Sequence, residues 1–411
     1  PKGAEKDAEG AEKDAEEDAA VDVERFLKKY NEDLARLEKK NNLAYWAAAN
    51  SGEKADWEAQ AAAELKLKKL HSDEERFETI EKLREREDLD PLTKRSLDVA
   101  YLAFKGNQLP DETLEKMVKM SSDINETFNT FRAELDGEKL SNNDLLERLA
   151  EETDSAKRRA LWEALKQVGA AVGPKIVELA KVRNEAAGEL GYENYWQMKI
   201  DLQEHDADEL MKIFAELEEL TDEPFTKMKA ELDADLAERF GVEPEKMMPW
   251  HYDNPFFQAP PPSSKLDLDE FYEDKKKEEI VRIAVDFYED IGLDVKDIVE
   301  RSDLYPREGK DQHAFCTSID RSGDVRTLLN IRPSEQWMGT MLHELGHAIY
   351  DKLIDRALPY NLREMAHIFT TEGVAMLFGA LSKNPEWLVT YAGADEKRVE
   401  KVKPHIYEQI G

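Results

Sequence analysis

Cysteine is almost missing from this sequence: Cys316 stands alone among 411 residues. One thiol cannot build an intramolecular disulfide framework, so the fold must rest on a packed core. Thiol catalysis would need a base beside the sulfur. His313, three residues upstream, is the only neighbour of that kind, and a small apolar filler in a strand is the commoner role for a lone cysteine. Long apolar runs are missing too, since no segment approaches the roughly 20 apolar residues of a membrane span. Basic charge is in deficit: 58 Lys and Arg against 91 Asp and Glu leave a formal charge of −33. That excludes nucleic acid as a partner, because a phosphate backbone demands a basic face. The acidity reads as a solvated surface and is silent about substrate.

What is present is a chain of 41% hydrophobic and 36% charged residues, ample for a large core. Residues 1–20 carry the repeat Gly3-Ala4-Glu5-Lys6-Asp7-Ala8-Glu9 and Gly10-Ala11-Glu12-Lys13-Asp14-Ala15-Glu16. Such a polar segment buries nothing and reads as a linker or at most a frayed helix. From Val21 to about Lys246 apolar residues recur at helical spacing with few glycines, as in Leu161-Leu165-Val168 and Leu210-Ile213-Phe214-Leu217. Proline-rich sequence from Met248 to Ser264, including Pro260-Pro261-Pro262, ends this stretch as an extended connector, and His251 within it is a weak site candidate. A helix is expected over Leu268 to Ile291, then a β-hairpin in which Gln312–Ile319 and Asp324–Ile331 flank Arg321-Ser322-Gly323. A last helix runs from Val399 to Ile410.

Chemistry concentrates in Met341-Leu342-His343-Glu344-Leu345-Gly346-His347. On a helix His343 and His347 stand one turn apart on one face, so both rings reach one metal ion and Glu344 is left as a base. The flanking Trp337, Met338, Ala348 and Ile349 make this a buried helix, where a histidine pair without a metal would be costly. Catalytic zinc generally takes three protein ligands and leaves a fourth position open. Glu372 is the candidate third ligand, at the start of a second apolar helix, Phe369 to Phe378, capped by Thr370 or Thr371. The bland alternative is an acidic residue favoured by a helix N-terminus. His367 competes as a ligand, but it precedes the cap and lies five positions before Glu372, which suits no shared helix face.

His-Glu-x-x-His, 24 intervening residues and Glu372, with Leu358-Pro359-Tyr360-Asn361-Leu362-Arg363-Glu364-Met365-Ala366 between, resemble the angiotensin-converting-enzyme family of peptidyl-dipeptidases. His313-Ala314 stands where that family has a His-Ala pair lining its cleft, and Asp324-Val325-Arg326 resembles its Asp-Phe-Arg. Arg25 to Asn31 and Ala44-Tyr45-Trp46-Ala47 resemble its first helices, so the likeness runs from about residue 22 to the end. One departure is Met376, where the family commonly has an aspartate that orients a zinc histidine. A supporting partner must then come from elsewhere. The family's Lys and Tyr clamp on the substrate carboxylate and its oxyanion-stabilising His and Tyr have no counterpart before Gly411, which implies a C-terminally incomplete chain.

The resemblance implies a mainly α, elongated, multi-helix zinc metallopeptidase with a deep cleft and a small β-hairpin beside the His-Glu-x-x-His helix. Residues 21–411 would form the catalytic domain, with a helical wall at 21–247 and the zinc-site part at 248–411. The expected cofactor is Zn2+, the partner a peptide, the metal ligands His343, His347 and Glu372, and the catalytic base Glu344. His313 and Ala314 are expected to bind substrate, His313 by donating to a carbonyl and Ala314 by allowing close backbone approach along an edge strand. Release of C-terminal dipeptides is the expected activity. The rival readings are a thimet-type oligopeptidase cutting internal bonds of short peptides and an inactive zinc-binding module. The resemblance also implies export, periplasmic, lipid-anchored or extracellular, with a cytoplasmic protein as the alternative. Oligomeric state is left open.

Overall fold

The computed structural model describes residues 2–252, 254–255 and 266–410, which leaves the run Pro260-Pro261-Pro262 outside the described residues. The first part of the chain comprises α1 (Lys2–Ser51), α2 (Lys54–His71), α3 (Glu74–Arg84), α4 (Pro91–Lys105), α5 (Asp111–Thr130), β1 (Ala133–Leu135), β2 (Glu138–Leu140), α6 (Asn142–Glu151), α7 (Ser155–Glu189), α8 (Tyr195–Leu202) and α9 (Ala207–Phe240). The second part comprises α10 (Lys277–Asp290), α11 (Lys296–Arg301), β3 (Phe315–Ser318), β4 (Val325–Leu328), α12 (Glu335–Leu353), α13 (Ile368–Gly379), α14 (Pro385–Thr390) and α15 (Glu396–Ile410). Among the described residues the fold is mainly α, 71% helical with two small two-stranded sheets.

Local chemistry sets the helix ends. Asp90 accepts from the amides of Leu92 and Thr93 ahead of Pro91 at the first turn of α4, and Asp154 does the same for Ala156 and Lys157 at α7. Gly241, at φ 64°, closes α9 in the left-handed conformation that a helix C-terminus favours. The acidic repeat is continuous with α1, in keeping with its alanine, glutamate and lysine content. Two expectations shift. The helix over Leu268 to Ile291 is broken: a short 3-10 turn at Leu268–Phe271 precedes α10, because Tyr272 turns inward and donates its hydroxyl to Ser382 O at 2.7 Å. The other is the β1–β2 hairpin inside the helical half, turned by Asp136 and Gly137 at φ 54° and 82°.

The β3–β4 hairpin is antiparallel, pairing Phe315 with Leu328 through Ser318 with Val325. Both strands are shorter than the segments expected. Arg321 and Gly323, at φ 47° and 112°, form its turn. The largest apolar cluster wraps α12: Met338, Met341, Leu342 and Leu345 pack with Ile280, Ala284 and Phe287 of α10, Leu388 of α14 and Ile406 of α15. Burial of each such side chain is worth about 1.5–3 kcal/mol, which fixes α12 before any ligand arrives. A second cluster joins α1 to α4 through Tyr30, Leu34, Leu70, Ile80 and Phe104.

Polar contacts tie the two parts together. Asn361 exchanges hydrogen bonds of 2.8 Å with Ser96 and takes Asn31 Oδ1 on its amide. Asn42 donates to Ser318 O at 3.1 Å, and Arg321 meets Glu38 at 2.6 Å and Glu364 at 2.9 Å.

Candidate metal centre

Ser334 caps α12 by accepting from Trp337 N. Asp269 accepts from Glu335 N, and Tyr288 donates to Leu342 O, the carbonyl just before His343. The helix bearing the motif is therefore held at its start and at its middle.

Across from it lies α13, whose start differs from expectation. His367 is the cap: its Nδ1 accepts from Phe369 N at 3.1 Å, while the Thr370 hydroxyl donates to His367 O. With Nε2 3.0 Å from Gln203 Oε1, His367 has both ring nitrogens engaged away from the motif. It does not join His343, His347 and Glu372.

Those three side chains do converge. The Nε2 atoms of His343 and His347 stand 3.2 Å apart, and the Glu372 carboxylate lies 3.6 Å from the first and 3.3 Å from the second. One donor atom of each falls within 4.8 Å of the other two. Burial lowers the pKa of both imidazoles, keeping them neutral, the form that ligates a metal. Glu372 remains 46% exposed, so the triad opens to solvent on one side. Its donor set, two imidazoles and a carboxylate, suits zinc with an open fourth position.

Glu344 is buried beside the triad, and one of its carboxylate oxygens has no hydrogen-bond partner. Burial first, and then the charge of Glu372, pushes its pKa up to about 8. An orphaned buried carboxylate oxygen is costly unless something polar meets it, and with Glu372 near enough to act on its charge this fits a metal and its water. Thr371, expected only as a candidate helix cap, instead completes the arrangement: 2% exposed, it places Oγ1 2.8 Å from His347 Nδ1.

The hairpin lies against α12, and β4 is covered on its outer side, where Asp303 N donates to Thr327 O. Ile319 N donates to Asp324 O, so residues 315, 317 and 319 turn their main-chain groups toward β4. Those of Ala314, Cys316 and Ser318 turn outward. Asn42 occupies Ser318 O, which leaves the main chain around Ala314 and Cys316 as the free edge among the described residues. His313 sits just before β3, its ring stacked on Phe128 at 4.8 Å between centroids and its amide donating to Asp311.

Two other candidates are accounted for. Burial raises the Cys316 thiol well above its usual range, with Asp351 and Glu344 adding to the effect, so no thiolate forms. His251 is buried with one ring nitrogen 2.8 Å from Ser155 Oγ and the other accepting from Met248 N, a packing role.

A family-wide sequence profile described as angiotensin-converting enzyme, peptidase family M2, matches residues 16–402. The chain belongs to the angiotensin-converting-enzyme family. It is therefore a peptidase, and its substrates are peptides. No individually curated protein matches the chain in sequence. Among the described residues no helix is long and apolar enough to cross a membrane. Where the angiotensin-converting-enzyme family commonly carries an aspartate, Met376 is 58% exposed.

Proposed function

We propose that this protein is a zinc-dependent peptidyl-dipeptidase, with His343, His347 and Glu372 as ligands and Glu344 as general base. The observation that carries the reading is the buried Glu344 carboxylate, with an oxygen that has no partner, together with the three converging ligand atoms. A structural zinc has no use for such a group and normally fills its fourth position with protein, which disfavours the inactive binding module. Zinc bound there supplies a Lewis acid that lowers the pKa of water in the site toward about 7 and polarises a carbonyl.

Glu344 then takes a proton from the attacking water and delivers it to the leaving amine as the C–N bond breaks. A carboxyl lifted by burial holds protons readily enough for both halves of that cycle, and a cation among the ligands would draw its pKa back down. The free edge at Ala314 and Cys316 offers main-chain groups for an extended peptide, so substrate residues would alternate between wall and solvent. His313, held flat by Phe128, stands at the entry to that edge.

Mass spectrometry of products from a peptide with a free C-terminus and from its amidated twin tests the dipeptidase mode. The expected result is loss of two residues at a time from the free peptide, with the amidated one largely spared. Equal cleavage of both at internal bonds would reject this mode in favour of an oligopeptidase.

A further inference from the structure

We propose that Thr371 is the positioning residue for His347, its hydroxyl fixing the tautomer and ring plane that turn Nε2 toward the metal. The inference rests on the zinc site proposed above. A ligating histidine needs its second ring nitrogen held by an acceptor, because an imidazole bearing its proton on the wrong nitrogen cannot ligate. The Thr371 hydroxyl lies 2.8 Å from His347 Nδ1, and among the described residues nothing else bonds that nitrogen. Thr371 is buried, so water does not compete for the contact. Its β-branched side chain is restricted to two main rotamers in a helix, and the contact with His347 selects one of them.

The placement is economical in another sense. Thr371 immediately precedes Glu372, so one turn of α13 carries both a ligand and the support for a ligand on α12. Met376, four residues after Glu372, has no acceptor oxygen and is mostly exposed, so it does not take this task. A neutral hydroxyl orients an imidazole but strengthens its basicity less than a carboxylate would. Geometry rather than charge is what Thr371 contributes.

Thr371→Val keeps the branched shape and removes the hydroxyl, while Thr371→Ser keeps the hydroxyl and removes a methyl. Zinc affinity of each metal-free chain is measured by competition with a chromophoric chelator, alongside the visible spectrum of the Co2+-loaded form and the melting temperature of the metal-free form. The expected result for Val is a loss of about 10- to 100-fold in affinity and altered cobalt bands. Its metal-free melting temperature should match the parent, and Ser should retain most of the affinity. Unchanged affinity in Val, or an equal loss in Ser, would overturn the positioning role while leaving the zinc site intact. A parent chain that takes up no zinc, or a His347→Ala variant that binds it as tightly, would instead overturn the zinc site and this inference with it.

Discussion

Gly346 faces Ala375 across the contact between α12 and α13: a Cβ built on Gly346 would stand 2.9 Å from Ala375 Cα and 3.2 Å from the Phe378 ring. Ala375 is fully buried, so neither helix can yield without moving the other. This contact lets Glu372 reach the histidine pair. Gly346→Ala is expected to destabilise the protein by about 1–3 kcal/mol and to weaken zinc binding as the helices part. Gly373→Ala is the control, since a Cβ there meets nothing within 4 Å. It should be neutral or stabilising by up to about 1 kcal/mol, from helix propensity alone. Urea denaturation and zinc titration of the pair check both, and equal effects would remove the packing explanation.

His347→Ala and Glu372→Ala should each abolish tight uptake of one zinc per chain, because two remaining ligands do not make a catalytic site. Elemental analysis after dialysis against a weak chelator reads the outcome. Retention of one equivalent in either variant would mean that the metal sits elsewhere.

Glu344→Gln preserves shape and removes the proposed base. Zinc content is expected to stay at the parent level while hydrolysis falls by about 10²-fold or more. Near-parent turnover would assign the proton transfer to another group.

Asp351, one turn beyond His347, has its pKa raised to about 6 by burial and then by Glu364, with Arg321 opposing. A carboxyl held above its unfolded value binds more protons in the folded state, so its contribution is present at low pH and lost as pH rises through about 6. Relative to Asp351→Asn, the parent should lose on the order of 2–3 kcal/mol of stability between about pH 4 and 7. Parallel urea curves across that range measure it. A constant difference between the two proteins would show that Asp351 keeps its ordinary affinity for protons.

Much of this arrangement is legible in residue patterns. The motif on α12 announces itself because its apolar neighbours repeat at helical spacing, and Arg321-Ser322-Gly323 marks the β3–β4 turn. The start of α13 is less visible, since histidine is an uncommon cap and two threonines nearby are better candidates by propensity. The β1–β2 hairpin carries an Asp-Gly turn signal, but strands of three residues are too short to show alternation. Tyr272 breaks an otherwise regular helical pattern for a partner 110 residues away. The Thr371 contact depends on how two helices cross, and no spacing along the chain encodes it.

Arg321, at the tip of the β3–β4 hairpin, is bound at once to Glu38 on α1 and to Glu364 on the segment leading into α13, with its guanidinium 5.4 Å from the Tyr360 ring centroid. The strand with the free edge and the helix that carries Glu372 thus share one brace. Partial opening of the molecule at this point would release both together. Hydrogen exchange at β3 and at α13 is accordingly expected to follow a single cooperative opening, so that the free edge and Glu372 would lose their places as one unit.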